Sequence, residues 1–182
     1  MYLLGVLMTP VCLTIGRFTM FRKIFFAVAL LSALVFLATS AKDNSSKVPY
    51  PENYRAWTHI KSLILLPGHP LYNDFGGIHH VYANEKALKT LRSGGNVFPD
   101  GSVLVFDLME APQKDNAISE GQRKVLAVMW KDSKKYQTTG GWGFEAFRGD
   151  TRERIVKDPV KECYNCHTGQ KHHDFVFSQY RK

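Results

Sequence analysis

Cys163, Tyr164, Asn165, Cys166 and His167 run consecutively, so two thiols stand three residues apart and an imidazole follows the second at once. Nearly one helical turn separates the thiols, which puts both on one side of a helix, and a neutral imidazole nitrogen is a good iron ligand. This C-x-x-C-H spacing is the attachment pattern of c-type haem: the thiols add across two vinyl groups as thioethers and the histidine binds iron on the proximal side. Two other chemistries use the same residue types. A disulfide between Cys163 and Cys166 suits an exported protein, but redox pairs of this spacing come with a βαβ pattern that this chain lacks. A zinc ion would recruit His172 or His173, and closing a tetrahedron over so few residues strains the backbone. Covalent haem, one per chain, fits export and accounts for both cysteines and for the histidine that follows them.

Export follows from the N-terminus. From Met20 the chain reads MFRK, then a mainly apolar run of 15 residues from Ile24 to Ala38, then Thr39, Ser40 and Ala41 before a polar stretch. A basic start, an apolar run and a small-residue boundary make a secretory signal peptide, with cleavage expected after Ala41 and periplasmic location. The run falls short of the roughly 20 residues that span a bilayer as a helix. Residues 1–19 precede this complete signal, so Met20 is the expected start. Cys12 lies in that upstream segment without the small residues that a lipoprotein cleavage site needs.

The whole chain has 182 residues, three cysteines, 24 Lys plus Arg against 16 Asp plus Glu, and 13% aromatics, which suits one globular domain and excludes a disordered tail or a collagen-like fibre. Cleavage after Ala41 takes Cys12 and three basic residues but no acid, leaving 21 basic against 16 acidic residues and a net charge of +5. The remaining charge is dispersed in short groups such as Lys134-Lys135 and Arg152 to Arg154, with acids nearby. That is the pattern of a solvated surface, and nucleic acid is not an expected partner.

The elements that must position the motif read as follows. Residues 42–49 form a flexible polar lead-in, and one domain covers residues 50–182. After Pro51, Glu52 to Ile60 reads as a short helix. Ile78 to Ala83 reads as a strand, Glu85 to Arg92 as a helix stopped by Gly94-Gly95, and Pro99-Asp100-Gly101 as a turn leading into a strand over Ser102 to Leu108. Further strands are expected over Lys124 to Trp130 and Gly143 to Phe147. Asp158-Pro159 opens a C-terminal helix carrying the motif, and Gly169 offers its stop. Strands this close in sequence indicate the α+β class, an antiparallel sheet with peripheral helices. His59, His69, His79, His80, His172 and His173 read individually as solvated or hydrogen-bonded in place, and Met109 and Met129 as core. Asp107, Glu110 and Glu145 read as solvated acids.

From Tyr50 to the C-terminus the chain resembles the cytochrome P-460 family, which includes the cytochromes c-prime-beta. The residues that carry this are Tyr54-Arg55-Ala56-Trp57, Phe98-Pro99-Asp100-Gly101-Ser102-Val103, and the late C-x-x-C-H followed by Asp174-Phe175-Val176-Phe177-Ser178-Gln179-Tyr180. The resemblance implies an antiparallel sheet covering the haem, a proximal histidine, an open distal side and a homodimer. In the hydroxylamine-oxidising members a lysine on the strand after the PDG turn is joined to the haem; the same position here is Phe106, which cannot make that bond. The resemblance is therefore closest to the c-prime-beta branch, whose distal pocket is capped by phenylalanines, with Phe106 and then Phe75 as cap candidates.

Aromatic rings supply neither a strong ligand nor a proton donor, so the iron is expected to stay five-coordinate and to favour a neutral diatomic gas such as NO. Hydroxylamine oxidation would need a positioned base, and no residue stands out as one. An electron carrier exchanging with a redox partner protein is the third reading and would want six-coordinate, low-spin iron.

Overall fold

The computed structural model describes residues 47–181. The expected signal peptide, the upstream segment with Cys12 and most of the polar lead-in lie outside the described residues. Among the described residues, seven strands and two α-helices precede the motif: β1 (Thr58–Leu65), α1 (Tyr72–Phe75), β2 (Gly77–Ala83), α2 (Glu85–Ser93), β3 (Val103–Met109), β4 (Gln113–Lys114), β5 (Ala117–Ile118), β6 (Arg123–Lys131) and β7 (Trp142–Arg148). Five strands form one sheet in the order β1-β2-β3-β6-β7 with every neighbouring pair antiparallel, while β4 and β5 make a separate small hairpin. The architecture is α+β, as the spacing of the strands implies.

Local chemistry sets the connections. Asn84 caps α2: its side-chain oxygen accepts the Ala87 and Val103 N–H groups at 3.0 and 3.0 Å, and its amide donates to the Gly101 carbonyl at 2.9 Å. One residue thus starts a helix and fastens the PDG turn to it. In that turn Ser102 N–H bonds the Pro99 carbonyl at 3.0 Å, and Gly101 takes φ of 85°, a left-handed value that glycine adopts without steric cost.

Residues alternate across the sheet and divide the core in two. On one face Ile60, Val81, Leu104 and Phe144 pack with Ala87, Leu88 and Leu91 of α2 and with Phe175 and Val176 near the C-terminus. On the other, Val103, Val105, Leu126, Val128 and Phe147 pack with Val48 and Tyr54.

Two expected boundaries are corrected. Glu52 to Ile60 is not a helix: Asn53 is left-handed at φ 54°, only Tyr54–Ala56 make a single tight turn, and the chain then enters β1. The pull is tertiary. The Tyr54 hydroxyl donates to Asp107 at 2.6 Å and Arg55 donates to the same carboxylate at 3.1 Å, while Thr58 onward pairs with β2. A bulge at Ile60 lets it join the first core cluster. The C-terminal helical run does not stop at Gly169 either. It passes from a wide turn at Val160–Tyr164 through Asn165–His167 to a tight turn at Thr168–His173, where left-handed Asp174 ends it.

Asp107 corrects a third expectation, because it is fully buried rather than solvated. Besides Tyr54 and Arg55, Arg123 donates to it through Nε at 2.6 Å, and Arg123 also reaches the Tyr54 hydroxyl at 2.7 Å. The Asp107→Asn variant is expected to lose about 3 kcal/mol of unfolding free energy, because two guanidinium groups, one of them mostly shielded from water, lose their anion; urea unfolding of the purified protein measures it.

Candidate haem-binding site

Asp158 opens the motif-bearing run as expected, its carboxylate accepting the Val160 and Lys161 N–H groups at 3.1 and 3.1 Å. Cys163 is half-buried, Cys166 is exposed, and no disulfide joins them. Burial, with smaller contributions from the Glu162 and Glu145 carboxylates, pushes the Cys163 thiol up to about 11, so it stays protonated near neutral pH and is a sluggish partner for oxidation.

His167 is held from three sides. Its Nδ1 lies 2.7 Å from the Phe175 carbonyl oxygen. A carbonyl can only accept, so Nδ1 carries the proton and Nε2 keeps the lone pair that a metal would use. A carbonyl partner of this kind is the common outer support of a metal-binding histidine. The rings of Phe144 and Phe177 flank the imidazole at 5.0 and 5.0 Å. Burial lowers the His167 pKa below the ordinary imidazole value, against the opposing effect of the Phe175 carbonyl.

The Phe175 carbonyl is itself positioned at some cost. Asp174 and Phe175 both adopt left-handed backbone, at φ 49° and 66°, where a side chain crowds the main chain. The Asp174 carboxylate accepts the Phe98 N–H at 2.9 Å and, through its two oxygens, the Lys131 ammonium at 2.7 and 2.9 Å. Lys131 also donates to the Gly140 carbonyl at 3.1 Å. Gly140, at φ 66°, lies under the Phe175 ring, where an added Cβ would collide. Nothing in the sequence around Lys131 marks it out. Asp174 and Phe175 belong to a recognisable run, but its role is visible only here.

The two cap candidates are brought together. The Phe75 and Phe106 rings meet edge to face, 6.2 Å apart at 87°. Phe106 packs against the same core cluster as Cys163 and Tyr164, whereas Phe75 is 42% exposed. Phe106 is in register with Ala127, which pairs with Ala146, two residues beyond Phe144. The standard strand spacing and rise place the Phe106 and Phe144 Cα atoms about 12 Å apart on that face. A third side chain, His79, joins the pair: its ring lies 4.6 Å from that of Phe106. The signal for it was the alternation of β2, which puts His79 on the side of Val81 rather than that of its neighbour His80.

The acids do not join this face. Asp107 is committed to Tyr54 and Arg123 on the opposite side of the sheet. Glu145 is buried rather than solvated, because its carboxylate pairs with Arg154 at 2.5 Å. Glu110 is exposed, as expected. Met109 is buried, and Met129 packs against the first core cluster. His173 donates from Nδ1 to the Val176 carbonyl at 2.7 Å. Among the described residues no three His, Cys, Asp or Glu side chains gather as a metal-binding group.

Unbonded thiols one turn apart, an imidazole whose Nε2 is left free, and apolar rings on the same sheet face fit a covalently held haem. They define the class as a haem cytochrome built on an antiparallel sheet. The family model for Cytochrome P460 matches residues 51–178, and the chain belongs to that family, whose members bind haem and its iron. No curated protein matches the chain.

The Asp174–Lys131 pair is the most sensitive point of this support. Lys131→Met is expected to cost about 3 kcal/mol of stability by leaving a buried carboxylate without its cation, and Gly140→Ala about 2 kcal/mol by overpacking against Phe175; thermal unfolding of each variant beside the parent checks both.

Proposed function

We propose that this is a periplasmic c-type haem protein that binds NO, or a similar neutral diatomic gas, at a five-coordinate iron. Cys163 and Cys166 are the thioether attachment points and His167 is the proximal ligand through Nε2. The bound haem supplies an iron whose distal position is open to a small ligand. The chain does the rest. The Phe175 carbonyl fixes the tautomer and angle of His167, Phe144 and Phe177 restrict its rotation, and the Phe75–Phe106 pair forms an apolar distal cap.

The observation that carries this reading is the edge-to-face contact of Phe75 and Phe106 on the face of the sheet that also packs Cys163. Neither ring can bind iron or donate a proton, so selection falls on ligands that need neither. The side chain at position 106 also lacks the amine that the hydroxylamine-oxidising branch joins to its haem. The nearby acids Asp107 and Glu145 are turned away from this face and tied to arginines, so neither serves as the base such an enzyme would need. The c-prime-beta branch and its homodimer belong to the same proposal.

An absorption spectrum of the purified protein tests it directly: a high-spin, five-coordinate signal that changes on adding NO is expected, and a low-spin His/Met signal would indicate an electron carrier. Peptide mapping is expected to find haem on Cys163 and Cys166 only; a lysine joined to it would move the protein to the hydroxylamine-oxidising branch. Phe106→Ala is expected to raise the NO association rate about tenfold, equivalent to roughly 1.4 kcal/mol off the barrier, as read by stopped-flow mixing.

A further inference from the structure

We propose that His79 is the positioning residue of the distal cap, tying the Phe75 main chain to the Phe106 ring and so setting how fast a ligand reaches the iron; this rests on the distal assignment of Phe75 and Phe106 made above. His79 is buried on β2, and its Nε2 bonds the Phe75 carbonyl oxygen across Gly76-Gly77. Its ring meets Phe106 edge on, with an interplanar angle of 73°. One imidazole therefore touches both cap residues, the backbone of one and the ring of the other. A side chain needed only for filling would be apolar, like Val81 and Leu108 beside it, and would avoid the cost of burying an imidazole.

The segment it holds has few other fastenings. Phe75 ends the short α1, and the next residue's carbonyl, Gly76, accepts the Lys124 ammonium at 2.7 Å. Gly77 runs so close to β3 that a Cβ would strike the Met109 carbonyl, which fixes the path of the chain at that end. Between these points the Phe75 carbonyl depends on His79.

The same arrangement disfavours a charged ring. Because a carbonyl accepts the Nε2 proton, Nδ1 carries the lone pair, and a second proton there would place a cation in a buried site. The charged and titratable groups acting on it are Lys61 from β1, Lys124 from β6 and His69 from the loop before α1, all of which oppose a positive ring, while Asp107 of β3 points to the other face. Burial and these cations lower the His79 pKa below the ordinary value, so the neutral imidazole persists at neutral pH. In the unfolded chain the ring takes up its proton near pH 6.5. The unfolded state therefore binds more protons below that pH, so acid destabilises the fold that buries the ring, although the Phe75 carbonyl by itself favours the charged form.

The test is CO association with the ferrous holoprotein after flash photolysis, in the parent, His79→Gln and His79→Leu. His79→Leu keeps bulk but loses the donor and is expected to bind CO about tenfold faster at neutral pH, the worth of one buried hydrogen bond. His79→Gln keeps a donor and is expected to stay within about twofold of the parent. Equal rates in all three proteins, or equal acceleration in both variants, would overturn the role, since packing alone would not distinguish Gln from Leu. If His79→Leu fails to fold, His79→Met, which also keeps bulk without a donor, takes its place with the same two outcomes. A six-coordinate resting spectrum would sink the gas-binding reading without deciding this one. The Phe75–Phe106 inter-ring NOE in the NMR spectrum of the diamagnetic CO complex then decides it, by being lost in His79→Leu and kept in His79→Gln if His79 positions the cap, and its survival in both overturns the role.

Discussion

The Asp174 carboxylate receives the Phe98 N–H and the Lys131 ammonium, and the setting of the candidate proximal histidine depends on that contact. Two successive left-handed residues would not persist in a free chain, since each costs on the order of 1–2 kcal/mol. Here a charge-assisted bond in a nearly closed site offsets that cost and holds the reversal that points the Phe175 carbonyl at His167 Nδ1. The motif supplies the ring, but its orientation comes from a lysine at the end of β6 and a turn that follows the helix.

The sheet separates two kinds of work. One face carries the motif-bearing run, α2 and the phenylalanines, and its polar groups are spent on main-chain carbonyls: His167 on Phe175, His79 on Phe75 and Lys124 on Gly76. The other face carries the charged networks, Asp107 with Tyr54, Arg55 and Arg123, and Glu145 with Arg154. Apart from Asp174, which is paired with Lys131, carboxylates are kept off the first face, which leaves it apolar where a flat cofactor and a neutral ligand would meet protein. Tyr54 and Arg55 lie on the far side of the sheet. They close the network that anchors β3 and β6 beneath the site.

Much of the fold was legible because its signals are local. The alternating runs over β2, β3, β6 and β7, the Gly94-Gly95 stop after α2, the Pro99-Asp100-Gly101 turn and the Asp158 cap each rest on residues within a few positions of one another. The first strand was not, because Glu52 to Ile60 satisfies a helical pattern until Tyr54 and Arg55 find an acid more than fifty residues away. The same distance hid the fates of Asp107 and Glu145: alone, each is a carboxylate expected in water, and only an arginine from another strand or loop makes burial affordable.

By itself the sequence determined the α+β class, the family and the spacing of two thiols and an imidazole on one helical turn, since each depends on periodicity or adjacency along the chain. The tertiary structure alone decided which nitrogen of His167 is free, that Phe75 and Phe106 touch, and that a buried histidine links them. Those outcomes depend on groups from separate elements meeting within hydrogen-bond or van der Waals range, a distance that no pattern along the chain encodes.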